Sequence, residues 1–504
     1  MQFVQNVPFF SIMISMFSGI VSSVLPGKYA KRLNAVMLLM VSVMSAWLLH
    51  FFMVSGIGSY TFMMGHFPAP WGNEIRAGVL EAGMAMFVSV VMLLSMLGGR
   101  KKLFDEVEVT KHNIYYILVD LLLSSLLALI YTNDLFTAYV FVEINTIAAC
   151  GLIMIRQNGR TIEAAVRYMI MSLLGSGLLL LGICMLYDLT GHLLMENIQT
   201  QVAIIMETGT YRVPMLVTIG IMTVGLAIKS ALFPFHSWLP DAYGYSTVSS
   251  AAILSSLVSK GYIFLLIKIF YRVIGFNYIT GSHILHVLFA FGLCGMIFGS
   301  VSAIWENDIR RMIAFSSVAQ IGYIYMGFGL GTEAGMVASI FHILAHGATK
   351  ALLFIAAIGL TDVSAGSRKF TNLTGAAYRN KVAGVGFAIG SFSMVGMPIF
   401  AGFISKFLYA EAAVNAISWR MFPTLIVLAI STILNTIYFL KTVLRIYMPQ
   451  KCEVEQEMGF FRRTWKEQKL YTITILLFIG LNLVLGLNSE PIIQLIKTGL
   501  HNFV

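Results

Sequence analysis

Stretches of about twenty mostly apolar residues, the length that carries a helix across a bilayer, recur fourteen times along this sequence. They lie near 7–25, 33–54, 77–98, 114–131, 135–155, 164–187, 213–233, 247–271, 284–304, 311–330, 334–360, 382–410, 421–446 and 470–488. The first carries many serines, and the seventh and twelfth are interrupted. Only 11% of the 504 residues are charged, against about 25% in a soluble protein. The chain reads as an all-α polytopic membrane protein. Its opening stretch has no basic leader and no small-residue cleavage site, so it reads as the first span and not as a removable signal.

Charge sets the expected orientation. Of 33 Lys and Arg, 22 lie in or beside the loops that follow odd-numbered spans. Only Arg76, Arg212, Arg272, Arg420 and Lys497 lie on the other side. The positive-inside rule makes the odd loops cytoplasmic, and an even number of spans places both termini outside. The net charge of +10 is therefore topological. It is dispersed over loops without aromatic interleaving, unlike a nucleic-acid footprint. Cys150, Cys184, Cys294 and Cys452 share no motif, so no thiolate-ligated cluster is expected. GFGLG at 327–331 follows no strand and is not a phosphate loop. These readings leave no redox or hydrolytic site, cofactor site or metal site in the chain.

Six basic residues fall inside spans, and all are lysines: Lys229, Lys260, Lys268, Lys350, Lys406 and Lys441. Lys268 and Lys441 lie near span ends, where a long side chain can snorkel to water. The other four lie deeper, at roughly 2.5–3.5 kcal/mol each. Together they would cost about 10 kcal/mol, comparable with the net stability of a domain. Arginine does not release its proton in a protein, whereas a buried lysine can. Deep lysines without arginines therefore suit a proton carrier better than a fixed counter-ion.

Lys229 is followed by Pro234, and Lys406 is preceded by Gly396, Pro398 and Gly402. Proline removes a backbone donor and clashes with the preceding turn. Helices broken within a membrane are tolerated where they line a wet cavity or are buried in protein. The two lysines are 177 residues apart, and the same shift carries Glu143 onto Gln320. This predicts two related halves, spans 4–8 and 9–13. Five is odd, so the second half is inverted relative to the first, as in many transporters. The expected organisation is a three-helix segment over 1–110, the repeats over 111–275 and 276–450, and a cytoplasmic loop with a last helix over 451–504.

Glu143 is a mid-span acid, and Lys229 is its expected partner, since pairing lowers the cost of burial. Closeness would hold Lys229 protonated and separation would release it. Asp120 has no evident partner in the sequence. His342, His346 and Lys350 follow i, i+4, i+8 spacing and stack on one helix face. Such a ladder suits a proton wire, with helix–helix hydrogen bonding or a metal pair as the other readings. Around Lys260, Ser249 and Ser256 either hold water or serve as small packing residues.

At "FVEIN", "AIKSALFPFHSWLPDAYGYSTVSSAAILSSLVSKGY", "DIRRMIAFSSVAQIGY", "HILAHGATKALLF" and "GMPIFAGFISKF" the chain resembles a known family. It comprises the antiporter-like membrane subunits of respiratory complex I, Mrp-type sodium/proton antiporters and membrane-bound hydrogenases. The likeness covers about residues 110–450. It implies fourteen helices, two inverted five-helix repeats and broken helices 7 and 12. It also implies a relay. Glu143 would be the helix-5 glutamate, Lys229 its partner and Lys260 the central lysine. His342, His346 and Lys350 would form the connecting region and Lys406 the terminal lysine. One complex I subunit type has glutamate at that last position. The lysine, together with the chain length, looks closer to the D-type Mrp component and its hydrogenase counterparts.

The resulting expectation is a proton-translocating subunit of a multisubunit complex in a prokaryotic cytoplasmic membrane. Its partners would be further antiporter-like and small membrane subunits, together with lipid, protons and sodium or a hydrogenase or quinone-reductase module, and no nucleic acid. A stand-alone solute symporter and a non-transporting scaffold are the rival readings.

Overall fold

The computed structural model describes residues 2–503 apart from 65–66, 68–72, 417 and 450–467. Cys452 and most of the expected loop before the last span lie outside the described residues. The architecture is a helical bundle. Its spans are α1 (Val7–Val24), α2 (Gly27–Ser55), α3 (Val79–Gly98), α4 (His112–Tyr131), α5 (Leu135–Met154), α6 (Gly159–Thr190) and α7 (Arg212–Lys229). They continue through α8 (Val248–Ile274), α9 (Ile284–Trp305), α10 (Ile309–Gly329) and α11 (Glu333–Asp362). The twelfth is split into α12a (Lys381–Val395) and α12b (Ala401–Asn415), followed by α13 (Met421–Ile446) and α14 (Lys469–Leu487). Thirteen of these helices are long and apolar enough to cross a membrane. The halves of the twelfth have 15 residues each and are too short to cross alone.

Polarity sorts the bundle. α8, α10 and α11 are enclosed along almost their whole length and bury Lys260, Lys268, Arg272, His342, His346 and Lys350. α13 presents Ile426, Ile430, Ile433 and Ile437 outward, the apolar stripe a helix shows to lipid. Small residues allow close approach. A Cβ on Gly322 of α10 would lie 2.6 Å from Gly292 O of α9. A Cβ on Gly175 of α6 would lie 2.8 Å from Gly225 O of α7 and 2.9 Å from Lys229 Cγ, so this contact also positions the lysine.

Both interruptions are real backbone breaks. α7 stops at Lys229, four residues before the end expected from the sequence. Ala231 follows with φ +63°, and the chain turns until a short helix begins at Leu239. α12a ends at Gly396 with φ +89°, where Gly396 and Met397 both donate to Phe392 O.

Two basic residues are placed differently from the sequence reading. Lys268 is fully buried and does not snorkel. It donates to Leu129 O at 3.3 Å, Ile130 O at 2.9 Å and Thr132 O, the free carbonyls at the end of α4. Arg272, expected in a loop, is buried in the last turns of α8 and donates to Asn133 Oδ1. Both found protein partners, which hydrophobic periodicity does not reveal.

The structure adds elements that a search for twenty-residue stretches passes over. An antiparallel hairpin pairs Ser59–Met63 with Glu74–Gly78 between α2 and α3. Amphipathic helices span Met195–Thr208 and Ser489–His501.

Candidate functional site

Lys229 is the last residue of α7, and its side chain is wholly buried. Its ammonium donates to Thr146 Oγ1 on α5 at 2.7 Å and lies 3.9 Å from Glu143 Oε1. The expected partner is therefore present, but Thr146 makes the direct hydrogen bond. Thr146 passes the contact on by donating to Val142 O at 2.8 Å. The ammonium also sits 5.3 Å from the centre of the Tyr262 ring. Tyr262 donates to Asn145 Oδ1 at 3.0 Å, and Asn145 to Ser125 Oγ at 2.9 Å. The Glu143 side chain is 24% exposed, yet its Oε1 is enclosed without a hydrogen-bond partner.

Lys260 lies on α8 just after a π turn at Leu254–Val258. Such wide turns recur at functional sites. The ammonium donates to Ser255 O, five residues back in its own helix. The Lys260 side chain lies within electrostatic reach of His342, His346 and Lys350 of α11. Beside it, Ser256 donates to Ala252 O of its own helix at 2.6 Å, and Ser249 lies against Gly99.

On α11 the imidazoles of His342 and His346 stack, with centres 5.8 Å apart and planes 13° apart. Lys350, a further turn along, points its ammonium to α10, donating to Ile313 O at 2.7 Å and to Ser316 Oγ. His342 Nδ1 lies 3.0 Å from Ser405 Oγ on α12b, and its ring stacks on Tyr323 at 5.5 Å. Lys406 follows Ser405. It reaches back across the break to donate to Val395 O at 2.6 Å, the last carbonyl of α12a, and to Thr432 Oγ1 on α13 at 3.1 Å. Its ammonium is 5.8 Å from the Tyr323 ring centre.

Among the seven residues singled out from the sequence, the structure shows two groups. Glu143 and Lys229 form one; His342 and His346, with Lys406 reached through Ser405 and Tyr323, form the other. Lys260 lies within electrostatic reach of the histidines and of Lys350, and Lys350 branches toward α10. Thr146, Ser405, Thr432 and Tyr323 were not selected from the sequence. Hydroxyl side chains are common in spans, and only their contacts single these out. Several buried polar atoms along the line have no protein partner, including His342 Nε2, both ring nitrogens of His346 and Gln320 Nε2. Buried groups of this kind are normally satisfied by water. Asp120, unpartnered in the sequence, accepts from Ser18 Oγ at 2.8 Å and from Asn34, tying α4 to α1 and α2.

Residues 132–434 match the family model for the transmembrane region of NADH:quinone oxidoreductase and Mrp antiporter proteins. The chain belongs to that family. One curated relative is the N component of the NADH-quinone oxidoreductase of Desulforudis audaxviator, 31% identical over 86% of each chain. Another is the D component of the Na(+)/H(+) antiporter of Alkalihalophilus pseudofirmus, 26% identical over 86% of this chain and 83% of that protein. The fold is shared with a chain of the Mrp complex from Dietzia, at TM-score 0.86 and 22% identity. It is also shared with a chain of an archaeal membrane-bound sulfane sulfur reductase, at 0.82 and 23%. Each covers 100% of this chain and 98% of the other. The helices expected to be broken from the family likeness are the two that carry Lys229 and Lys406.

Proposed function

We propose that this chain is the proton-translocating, antiporter-like subunit of a multisubunit complex in a prokaryotic cytoplasmic membrane. The observation that carries this reading is the set of ionisable side chains inside the bundle: Lys229, Lys260, His342, His346 and Lys350 are buried, Glu143 lies 3.9 Å from Lys229, and Lys406 is bonded at the break of the twelfth helix. In this reading the proton path runs from Glu143 and Lys229 through Lys260 and His346–His342 to Lys406. Burying so many ionisable groups is costly, and static packing does not require them. In this reading one half-channel opens to the basic, cytoplasmic face near α7 and α8. The other opens outside near α12b. The seven residues pass protons between them, and separation of Glu143 from Lys229 gates entry. The 1–110 segment and the inverted halves over 111–275 and 276–450 provide the frame, with both chain termini outside.

The driving process belongs to partner subunits. The relatives' names point to sodium/proton exchange and to quinone-linked redox complexes, and the proposal covers coupling to either. The test is proton movement by the assembled complex in inverted vesicles. Lys229→Ala and Lys260→Ala should each reduce it at least tenfold while assembly persists. Normal transport by both variants would leave a scaffold role instead.

A further inference from the structure

On the basic face of the bundle, a cleft of about 420 Å³ opens where the ends of α3, α11 and α14 meet. Lys31, Arg100, Lys101, Lys102 and Lys469 line it, with Asp362 as the carboxylate on its wall. Asp362 is already taken, paired with Lys102 at 2.5 Å. The Lys31 ammonium lies 4.1 Å from the centre of the Phe104 ring. Among the described residues no acid pairs with Lys31, Arg100, Lys101 or Lys469. Among the described residues, four cations are thus gathered at one helix junction with no acid at ion-pair distance, an arrangement that mutual repulsion opposes and an added anion would favour.

The floor has a different chemistry. Leu97, Ile358, Leu470 and Tyr471 form it. The buried Tyr471 hydroxyl closes it by accepting from Gly359 N–H and donating to Ile355 O, each at 3.2 Å. Below the rim, α14 turns Leu470, Ile473, Leu476 and Leu477 outward, each at least 42% exposed. A cationic rim therefore stands directly over an apolar stripe that runs into the membrane. A free inorganic anion would use only the rim. A molecule with an anionic phosphate and long hydrocarbon chains would use both, and basic pockets between spans suit such headgroups.

We propose that this cleft is a site for an anionic phospholipid, its phosphate held by the Lys31, Arg100, Lys101 and Lys469 side chains and its acyl chains lying along the outer stripe of α14. The site lies apart from the buried relay. It does not depend on proton transport by the chain. Occupancy would tie together the ends of α3, α11 and α14 at the face where α11 leaves the membrane.

The test uses the purified complex in neutral detergent, stripped of lipid. Dioleoylphosphatidylglycerol, dioleoylphosphatidylcholine and inorganic phosphate are titrated separately, with binding read from thermal stabilisation and from retained lipid by mass spectrometry. Dioleoylphosphatidylglycerol should stabilise the complex and remain bound. Arg100→Gln/Lys101→Gln/Lys469→Gln should weaken its binding about 100-fold, as expected for three cations lost beside a headgroup. Lys28→Gln/Arg160→Gln/Lys369→Gln, which neutralises three exposed cations of the same face outside the cleft, should bind as the parent does. Equal binding by the cleft variant, or equal stabilisation by phosphatidylcholine, would overturn the site. Equal stabilisation by inorganic phosphate would overturn its assignment to lipid.

Discussion

The Lys229 ammonium shows how much a residue's surroundings decide. It has a hydroxyl at hydrogen-bond distance in Thr146 and a carboxylate 3.9 Å away in Glu143. The carboxylate is thus close enough to favour the charged lysine but is not locked to it, and its own Oε1 lacks a partner. A tight buried pair would resist separation, whereas this looser pair can open. Charge, not shape, is what Glu143 supplies. Glu143→Gln should therefore lose transport as fully as Glu143→Ala, at least tenfold, with the complex still assembled. Near-normal transport by Glu143→Gln in vesicles would end the electrostatic gate. The pairing was legible in the sequence because each is a lone opposite charge in mid-span. Thr146 was not, since nothing in its neighbourhood distinguishes it from other span threonines.

At the scale of elements, what was legible followed what amino-acid types announce. Proline and glycine marked the breaks after Lys229 and before Lys406, and both are present. The π turn before Lys260 was not legible, because "LSSLV" contains no residue that demands it. The paired strands Ser59–Met63 and Glu74–Gly78 and the two amphipathic helices are shorter than a membrane span, so span length does not announce them. Lys268 departs from its sequence reading for a related reason: its nearness to the span end suggests snorkelling, while its partners are carbonyls at the end of another helix. That lysine caps the C-terminal carbonyls of α4, where a cation is also favoured by the helix dipole. Lys268→Met should cost about 2 kcal/mol through carbonyls left buried and unmatched, seen as reduced thermal stability of the purified complex. Transport per assembled complex should stay near normal. A large loss of transport at unchanged stability would instead place Lys268 on the proton pathway.

For the whole molecule, orientation fixes which half-channel faces which compartment. Lys and Arg gather on one side of the bundle, so a reporter inserted in the 361–381 loop should read cytoplasmic and one at the C-terminus should read outside. The reverse at both sites would exchange the two half-channels. Across the bundle, the three enclosed helices α8, α10 and α11 link the two broken ones. The central claim is that the lysines along this line gain and lose protons in every cycle. Lys406 tests it most directly. Its ammonium is held by Val395 O and Thr432 Oγ1, contacts that a guanidinium can also make but without giving up a proton. The measurement is proton transport by the assembled complex in inverted vesicles, comparing Lys406→Arg with the parent chain. Lys406→Arg should assemble normally and transport at least tenfold more slowly; a fully active Lys406→Arg complex would contradict the claim.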